Sequence, residues 1–144
     1  SESCPDVDAY YHGEDLLAFA QGLDYLINVL PNTSQTRRIV DRAVLNTLPA
    51  HAILLNVGRA STVDEAGLVE ALKHRNIAGA VLDVFEHEPL PKGHPFWGTP
   101  NLSMTFHTAA PSFPQDITRV FIENYHRFTR GEALNFRVDF EREY

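Results

Sequence analysis

The chain has a single cysteine, Cys4, so no internal disulfide can form; this fits a reducing compartment, and a cytoplasmic location is expected. No apolar run approaches membrane-spanning length and no signal-peptide pattern is present, so neither a bilayer span nor secretion is expected. Base is not in excess. Twelve Lys and Arg stand against 19 Asp and Glu, a net charge of −7, so no global field attracts nucleic acid and acidic lipid would repel the surface. No group of His, Cys, Asp and Glu has metal-ligand spacing, so no metal is expected. Repeats and low-complexity stretches are missing as well. What is there is ordinary for a globular domain: 144 residues, 44% hydrophobic and 22% charged, enough to bury a core.

Ser1 to Gly13 is polar and irregular, punctuated by Pro5 and Gly13, and does not open like a domain. Glu14 to Gly22 reads as a short helix with Leu16, Leu17, Phe19 and Ala20 on one side and Gly22 as C-cap. Tyr25 to Leu30 is an apolar strand closed by Pro31, and Asn32 to Thr36 a polar loop at its end. A helix from about Asp41 to Leu48 stops at Pro49. Ala52–Val57 is the second strand and Asp64–His74 the next helix, with basic residues at its C-terminal end. Gly79–Phe85 is the third strand, Glu86–Asn101 a proline-rich loop, Leu102–Phe106 the fourth strand, and Pro114–Arg130 a long helix ended by Gly131. The tail, Glu132 to Tyr144, mixes charge with Phe136, Val138 and Phe140.

Strands separated by helices imply a parallel sheet with right-handed crossovers. The strands are continuous apolar runs, as expected when both faces are covered. The fold class is therefore α/β: a doubly wound parallel sheet, or part of one, with a long C-terminal helix and tail.

The stretch Asn56-Val57-Gly58-Arg59-Ala60-Ser61 comes after a buried-strand pattern. An arginine at such a place is costly without an anionic partner, and ligands of open α/β sheets bind outside the carboxyl ends of the strands. Arg59 is thus a candidate for holding a substrate anion. Asp83, Glu88 and His107 stand after later strands in the same way. Each alone reads equally well as a surface polar residue; four in succession point to a site. His12, His51, His74, His87, His94 and His126 read as surface or structural.

Leu30-Pro31-Asn32-Thr33, Leu55-Asn56-Val57-Gly58-Arg59, Leu82-Asp83-Val84-Phe85-Glu86-His87-Glu88-Pro89 and Thr105-Phe106-His107 together resemble the D-isomer-specific 2-hydroxyacid dehydrogenases, from about Pro5 onward. Within that family Glu88-Pro89-Leu90-Pro91, Phe96-Trp97, His107-Thr108-Ala109-Ala110 and Val138-Asp139 are most similar to the bacterial glyoxylate/hydroxypyruvate reductases.

The resemblance implies an NAD(P)H-dependent oxidoreductase acting on a small 2-oxo acid. Arg59 would bind the substrate carboxylate and polarise the keto oxygen, its planar fork suiting bidentate contact. His107 would be the general acid, and Glu88 would fix its tautomer and favour its protonated form. Asp83 would contact the nicotinamide carboxamide or ribose side. Val57, Gly58 and His107 to Ala110 (including Thr108 and Ala109) would line the nicotinamide, with Pro31 and Asn32 beside its ribose. Relatives of this kind favour NADPH over NADH, so NADP is the expected cofactor and NAD the alternative.

Two positions depart from the family pattern: Ala60 stands where glycine is usual, and Phe106 where proline is usual. Glycine takes positive φ and proline fixes φ, so both bear on fine positioning. The phosphate-binding G-x-G-x-x-G turn is also absent. The chain then reads as the C-terminal portion of a longer enzyme. Residues 1–112 would be the second part of a Rossmann-type NAD(P)-binding domain, and 113–144 a return helix and tail toward a substrate domain. Such a portion is expected to be inactive alone and to pair with itself, as a homodimer, or with another fragment, because a sheet edge and helix faces lie uncovered. Two alternatives stay open: a dehydrogenase for another 2-hydroxy acid, and a non-catalytic dinucleotide-sensing or interaction scaffold on the same fold.

Overall fold

The computed structural model describes residues 4–144; of the opening segment Ser1–Gly13, the first three positions lie outside the described residues. Four strands, β1 (Tyr25–Asn28), β2 (Ile53–Asn56), β3 (Gly79–Leu82) and β4 (Leu102–Met104), form one parallel sheet in sequential order. The helices are α1 (Leu16–Ala20), α2 (Arg42–Thr47), α3 (Glu65–Lys73) and α4 (Pro114–Thr129). All eight elements fall within the expected segments, each strand trimmed to its hydrogen-bonded centre.

Local chemistry explains the boundaries. Asp41 and Asp64 cap α2 and α3, their carboxylates accepting from the Val44 and Gly67 amides at 3.0 and 3.2 Å. These bonds satisfy amides that a helix start leaves without partners. Gly22 and Gly131, at φ of 81° and 68°, turn the chain out of α1 and α4.

The registered row Leu26, Leu54, Ala80 and Leu102 faces α1, α2 and α3. Leu45, Leu54, Leu68 and Leu72 are fully buried in this layer, and truncating any of them to alanine costs about 2–5 kcal/mol. The opposite face differs from expectation. Ile27 is 60% exposed, Leu55 and Val81 are half-buried, and Ser103 is exposed. The strands are apolar on both sides, but among the described residues helices cover only one. No residue of α4 is buried. No helix among the described residues is long and apolar enough to cross a membrane.

Candidate active site at the carboxyl edge of the sheet

The parallel register places the functional candidates at one end of the sheet. Asn56, Leu82 and Met104 are neighbours in one row. Arg59 and His107 each lie three positions beyond that row, on the chain leaving the strands that flank β3.

His107 sits at φ 56°, a left-handed conformation that side chains bearing Cβ seldom adopt. It is held there from both sides. Its amide donates to the Asp83 carbonyl at 2.7 Å. Beyond it, the Thr108 and Ala109 amides donate to the Asp83 carboxylate at 2.9 and 3.0 Å, and the Thr105 hydroxyl donates at 2.5 Å. Phe106 lies between Phe85 and Trp97, with ring centroids 5.3 and 6.0 Å away. Aromatic packing therefore restrains the position where the family pattern has a proline. Backbone strain of this kind persists where the surroundings over-determine it, and it concentrates at functional sites.

The His107 Nδ1 faces Glu88 Oε2 at 3.0 Å. Glu88 Oε1 accepts from the Phe85 amide at 3.0 Å. The carboxylate has no proton to give in its ionised form, so Nδ1 carries the hydrogen and Nε2 is left toward solvent. The hydrogen bond from His107, with that from Phe85, holds the Glu88 carboxyl below its ordinary pKa despite desolvation. Burial alone would push Asp83 up; the bonds from Thr105, Ala109 and Thr108 outweigh it and hold Asp83 below the usual carboxylate range.

Arg59 leaves the end of β2 in extended conformation, φ −130° and ψ 138°, with its side chain exposed. Its only side-chain hydrogen bond among the described residues is Nη1 to the Gly58 carbonyl at 2.9 Å. The remaining donors are open to a ligand. Ala60 begins a 3₁₀ turn, Ala60–Thr62, and is not at positive φ, so alanine meets no conformational penalty there. Gly58 is buried against the end of β1: a Cβ would lie 2.8 Å from Leu30 N, Leu30 O and Val29 C.

Arg59 lines a cavity of about 360 Å³ with Asn32, Arg37, Ser61, Phe85 and His87. The Ser61 hydroxyl donates to Asn32 Oδ1 at 2.7 Å, tying the β1 and β2 ends together. His87, read from the sequence as surface or structural, is exposed and shares this cavity. Glu88 and His107 do not line it; guanidinium and imidazole stand on either side of the β3 end. Pro31 borders a separate cavity of about 620 Å³ with the tail residues Glu141 to Tyr144. Val57 is half-buried, while Thr108, Ala109 and Ala110 are exposed along the edge. Asp83 is buried, both carboxylate oxygens engaged by the His107 turn. Of the other histidines, His94 bonds Glu65 at 3.4 Å and the Phe96 amide at 3.3 Å, a structural use. No group of potential metal ligands forms among the described residues.

Sequence reading missed Asn28, Thr62 and Thr105. Thr105 holds Asp83, and Asn28 and Thr62 bond one another beneath Arg59. A signal was available for Asn28: β1 and β2 both end an apolar run on asparagine, at paired positions.

Residues 3–109 match the family model described as the NAD binding domain of D-isomer specific 2-hydroxyacid dehydrogenase. The glyoxylate/hydroxypyruvate reductase A of Klebsiella pneumoniae is 38% identical over 99% of this chain and 46% of its own length. That of Salmonella paratyphi B is 39% identical with the same coverage. A D-isomer specific 2-hydroxyacid dehydrogenase from Xanthobacter autotrophicus, solved with NADPH and MES, superposes with a TM-score of 0.94 at 37% identity, over 100% of this chain and 60% of that one. An NADPH-dependent glyoxylate/hydroxypyruvate reductase from Sinorhizobium meliloti, solved with NADP and sulfate, gives 0.88 at 32% identity, over 100% of this chain and 48% of that one. The chain spans about half the length of the curated relatives it matches. Matched by that family model over residues 3–109, the chain belongs to the D-isomer specific 2-hydroxyacid dehydrogenases.

Proposed function

We propose that this chain supplies the reacting groups of an NAD(P)H-dependent reductase for small 2-oxo acids of the glyoxylate and hydroxypyruvate type. One observation carries the reading: the Glu88–His107 pair, closed at 3.0 Å, lies on the same sheet edge as a guanidinium with open donors. Arg59 would clamp the substrate carboxylate in two parallel hydrogen bonds, which a lysine's point charge could not reproduce. His107 would hold its Nε2 proton toward the carbonyl oxygen and release it as negative charge develops there. Glu88 would balance the imidazolium from the other side and keep the ring from turning.

A nicotinamide fits the residues of this edge. Gly58 presents only backbone, Val57 is half-buried, and Thr108 to Ala110 are exposed with their backbone held by Asp83. Pro31 and Asn32 stand exposed beside them. When bound, the reduced cofactor would supply the hydride. Relatives solved with NADPH or NADP support the phosphorylated form. Asp83 would act on the cofactor side chiefly through the backbone it fixes.

The same reading assigns residues 1–112 to the cofactor domain and 113–144 to a return helix and tail that pack toward a substrate domain. Exposed Ile117, Phe121 and Phe128 on α4 support that assignment. It also takes the protein to be a cytoplasmic homodimer, in keeping with Cys4 as its lone cysteine and with the open apolar face of the sheet.

The test is glyoxylate-dependent NADPH oxidation by the full gene product. Arg59→Ala and His107→Ala should each abolish turnover while leaving NADPH binding. Turnover near the parent rate in either variant would refute the assignment.

A further inference from the structure

Beneath Arg59 lies a polar network in a place where the sheet otherwise buries hydrocarbon. Asn28, Asn56 and Thr62 are 3%, 1% and 0% exposed. Asn28, Asn56, Leu82 and Met104 form one registered row on the helix-covered face. The other two strands of that row carry apolar residues, so the sheet itself has no need of amides there. Burying each polar group is costly unless its bonds are remade inside.

Here each of their side-chain nitrogens and oxygens finds a partner. The Asn28 amide donates to Asn56 Oδ1 at 3.1 Å and to the Thr62 hydroxyl at 2.5 Å. Asn28 Oδ1 accepts from the Leu30 amide at 3.2 Å, and Asn56 Oδ1 from the Gly58 amide at 3.2 Å. Those backbone donors fix which side-chain atom is oxygen in both asparagines. The remaining hydrogens converge on one acceptor. Asn56 Nδ2 at 3.3 Å, the Thr62 hydroxyl at 2.6 Å and the Thr62 amide at 3.2 Å all donate to the Arg59 carbonyl. Thr62 is in turn anchored, its carbonyl accepting from the Val40 amide at 3.0 Å.

Every backbone group served lies next to Arg59 or on the chain it packs against. The Gly58 amide, the Gly58 carbonyl, the close contact of Gly58 with Leu30 and the Arg59 carbonyl are all set. Together these fix the backbone from which the Arg59 side chain departs.

We infer that Asn28, Asn56 and Thr62 are positioning residues for Arg59, a buried amide–hydroxyl network that aims its guanidinium at the substrate carboxylate. This deepens the proposed function and rests on it. Within the network Thr62 bonds the Arg59 carbonyl directly, so loss of its hydroxyl weakens handling of the oxo acid and leaves the cofactor's own affinity in place.

The experiment uses the full gene product with saturating NADPH. Thr62→Val keeps the shape and removes the hydroxyl; kcat/KM for glyoxylate should fall by about tenfold to a hundredfold, the range for a misaimed positioning group. Thr62→Ser should recover it to within about threefold, and the Kd for NADPH should not move. In an Arg59→Ala background Thr62→Val should cost nothing further, because the group it aims is gone. A folded Thr62→Val with parent kcat/KM overturns the inference, as does a loss shared equally by NADPH binding. If Thr62→Val does not fold, amide exchange in the parent protein decides. The Gly58 and Leu30 amides should be protected like the strand cores, and exchange at the rate of open loops overturns the network. Full turnover by Arg59→Ala alone would instead refute the proposed function and leave the network to stability.

Discussion

Glu88 divides its carboxylate between two elements: Oε2 meets His107 Nδ1 at 3.0 Å and Oε1 takes the Phe85 amide at 3.0 Å. The loop after β3 is thus tied to the loop after β4 through one side chain. The imidazole is turned so that its outer nitrogen is left toward solvent. Glu88→Gln keeps the side-chain shape, removes the charge and leaves one acceptor oxygen for the two donors. Its kcat should fall by about tenfold to a thousandfold, the scale of a general acid deprived of support, while KM for the oxo acid stays near the parent value. Steady-state kinetics on the full gene product checks this; an unchanged kcat would leave Glu88 as a loop brace only.

Arg59→Lys separates charge from geometry. The ammonium keeps the positive charge but cannot form two parallel bonds to a carboxylate. KM for glyoxylate should rise by about tenfold or more, and Arg59→Ala should cost a further factor of about ten. Equal KM values for parent and lysine variant would show that bidentate contact plays no part.

Asp83 links acid stability to the site. Its folded pKa is lowered, against the effect of burial, by bonds from Thr105, Ala109 and Thr108. A depressed carboxyl stabilises the fold above its unfolded pKa, about 4 for aspartate. That contribution is lost as pH falls through the folded value. Glu88, lowered mainly by its hydrogen bond to His107, acts in the same direction. Unfolding free energy from urea titrations should therefore drop below about pH 4 in the parent. Asp83→Asn should be less stable at pH 7 by about 2–4 kcal/mol, since an amide group then faces backbone donors. Its stability should also vary less across the acid range. Parallel pH curves for parent and variant would contradict the role given to this carboxylate.

How much of this was legible in the sequence depends on what each residue does. Helix and strand positions were readable because Asp41 and Asp64 cap the helices they precede and apolar runs mark the strands. Arg59, Asp83, Glu88 and His107 stand out as candidates because charge at a strand end suggests a ligand, and the roles proposed for them come from the family resemblance. The Asn28–Asn56–Thr62 network was hidden, since its members are distant in sequence and meet only through the β1–β2 register. Asp83 was read as facing a cofactor, but no pattern in the sequence shows that its oxygens hold the turn carrying His107. The covering of both sheet faces was inferred from apolar runs, which report what a strand can bury and not what lies against it.

Gly58 offers a test of the close approach between β1 and β2. A methyl group there would meet three backbone atoms at 2.8 Å, none of which can swing aside as a side chain could. Gly58→Ala should lower stability by about 1–3 kcal/mol. The shift should also disturb the peptide from which Arg59 departs, raising KM for the oxo acid. Thermal unfolding and kinetics measured together check both parts, and a variant as stable as the parent would mean that the strand ends are looser than described.

The exposed stripe of α4 makes the last prediction, because it separates folding from association. Ile117, Phe121 and Phe128 share one side of the helix at 57%, 69% and 73% exposure. The returning tail meets the helix along the edge of this same side: the Asn135 amide donates to Asn124 Oδ1 at 2.8 Å and Arg127 donates to the Ala133 carbonyl at 3.2 Å. The three apolar side chains stay exposed beside that contact, so Phe121→Glu should change the stability of the 144-residue protein by no more than about 0.5 kcal/mol. Apolar area of this kind drives association in water. Sedimentation velocity at micromolar concentration should show the parent self-associating and the Phe121→Glu protein shifted toward monomer. A large loss of stability would mean that α4 is packed into the body of the chain. Unchanged association would place the contact on the other uncovered surface, the Tyr25 and Ile27 face of β1.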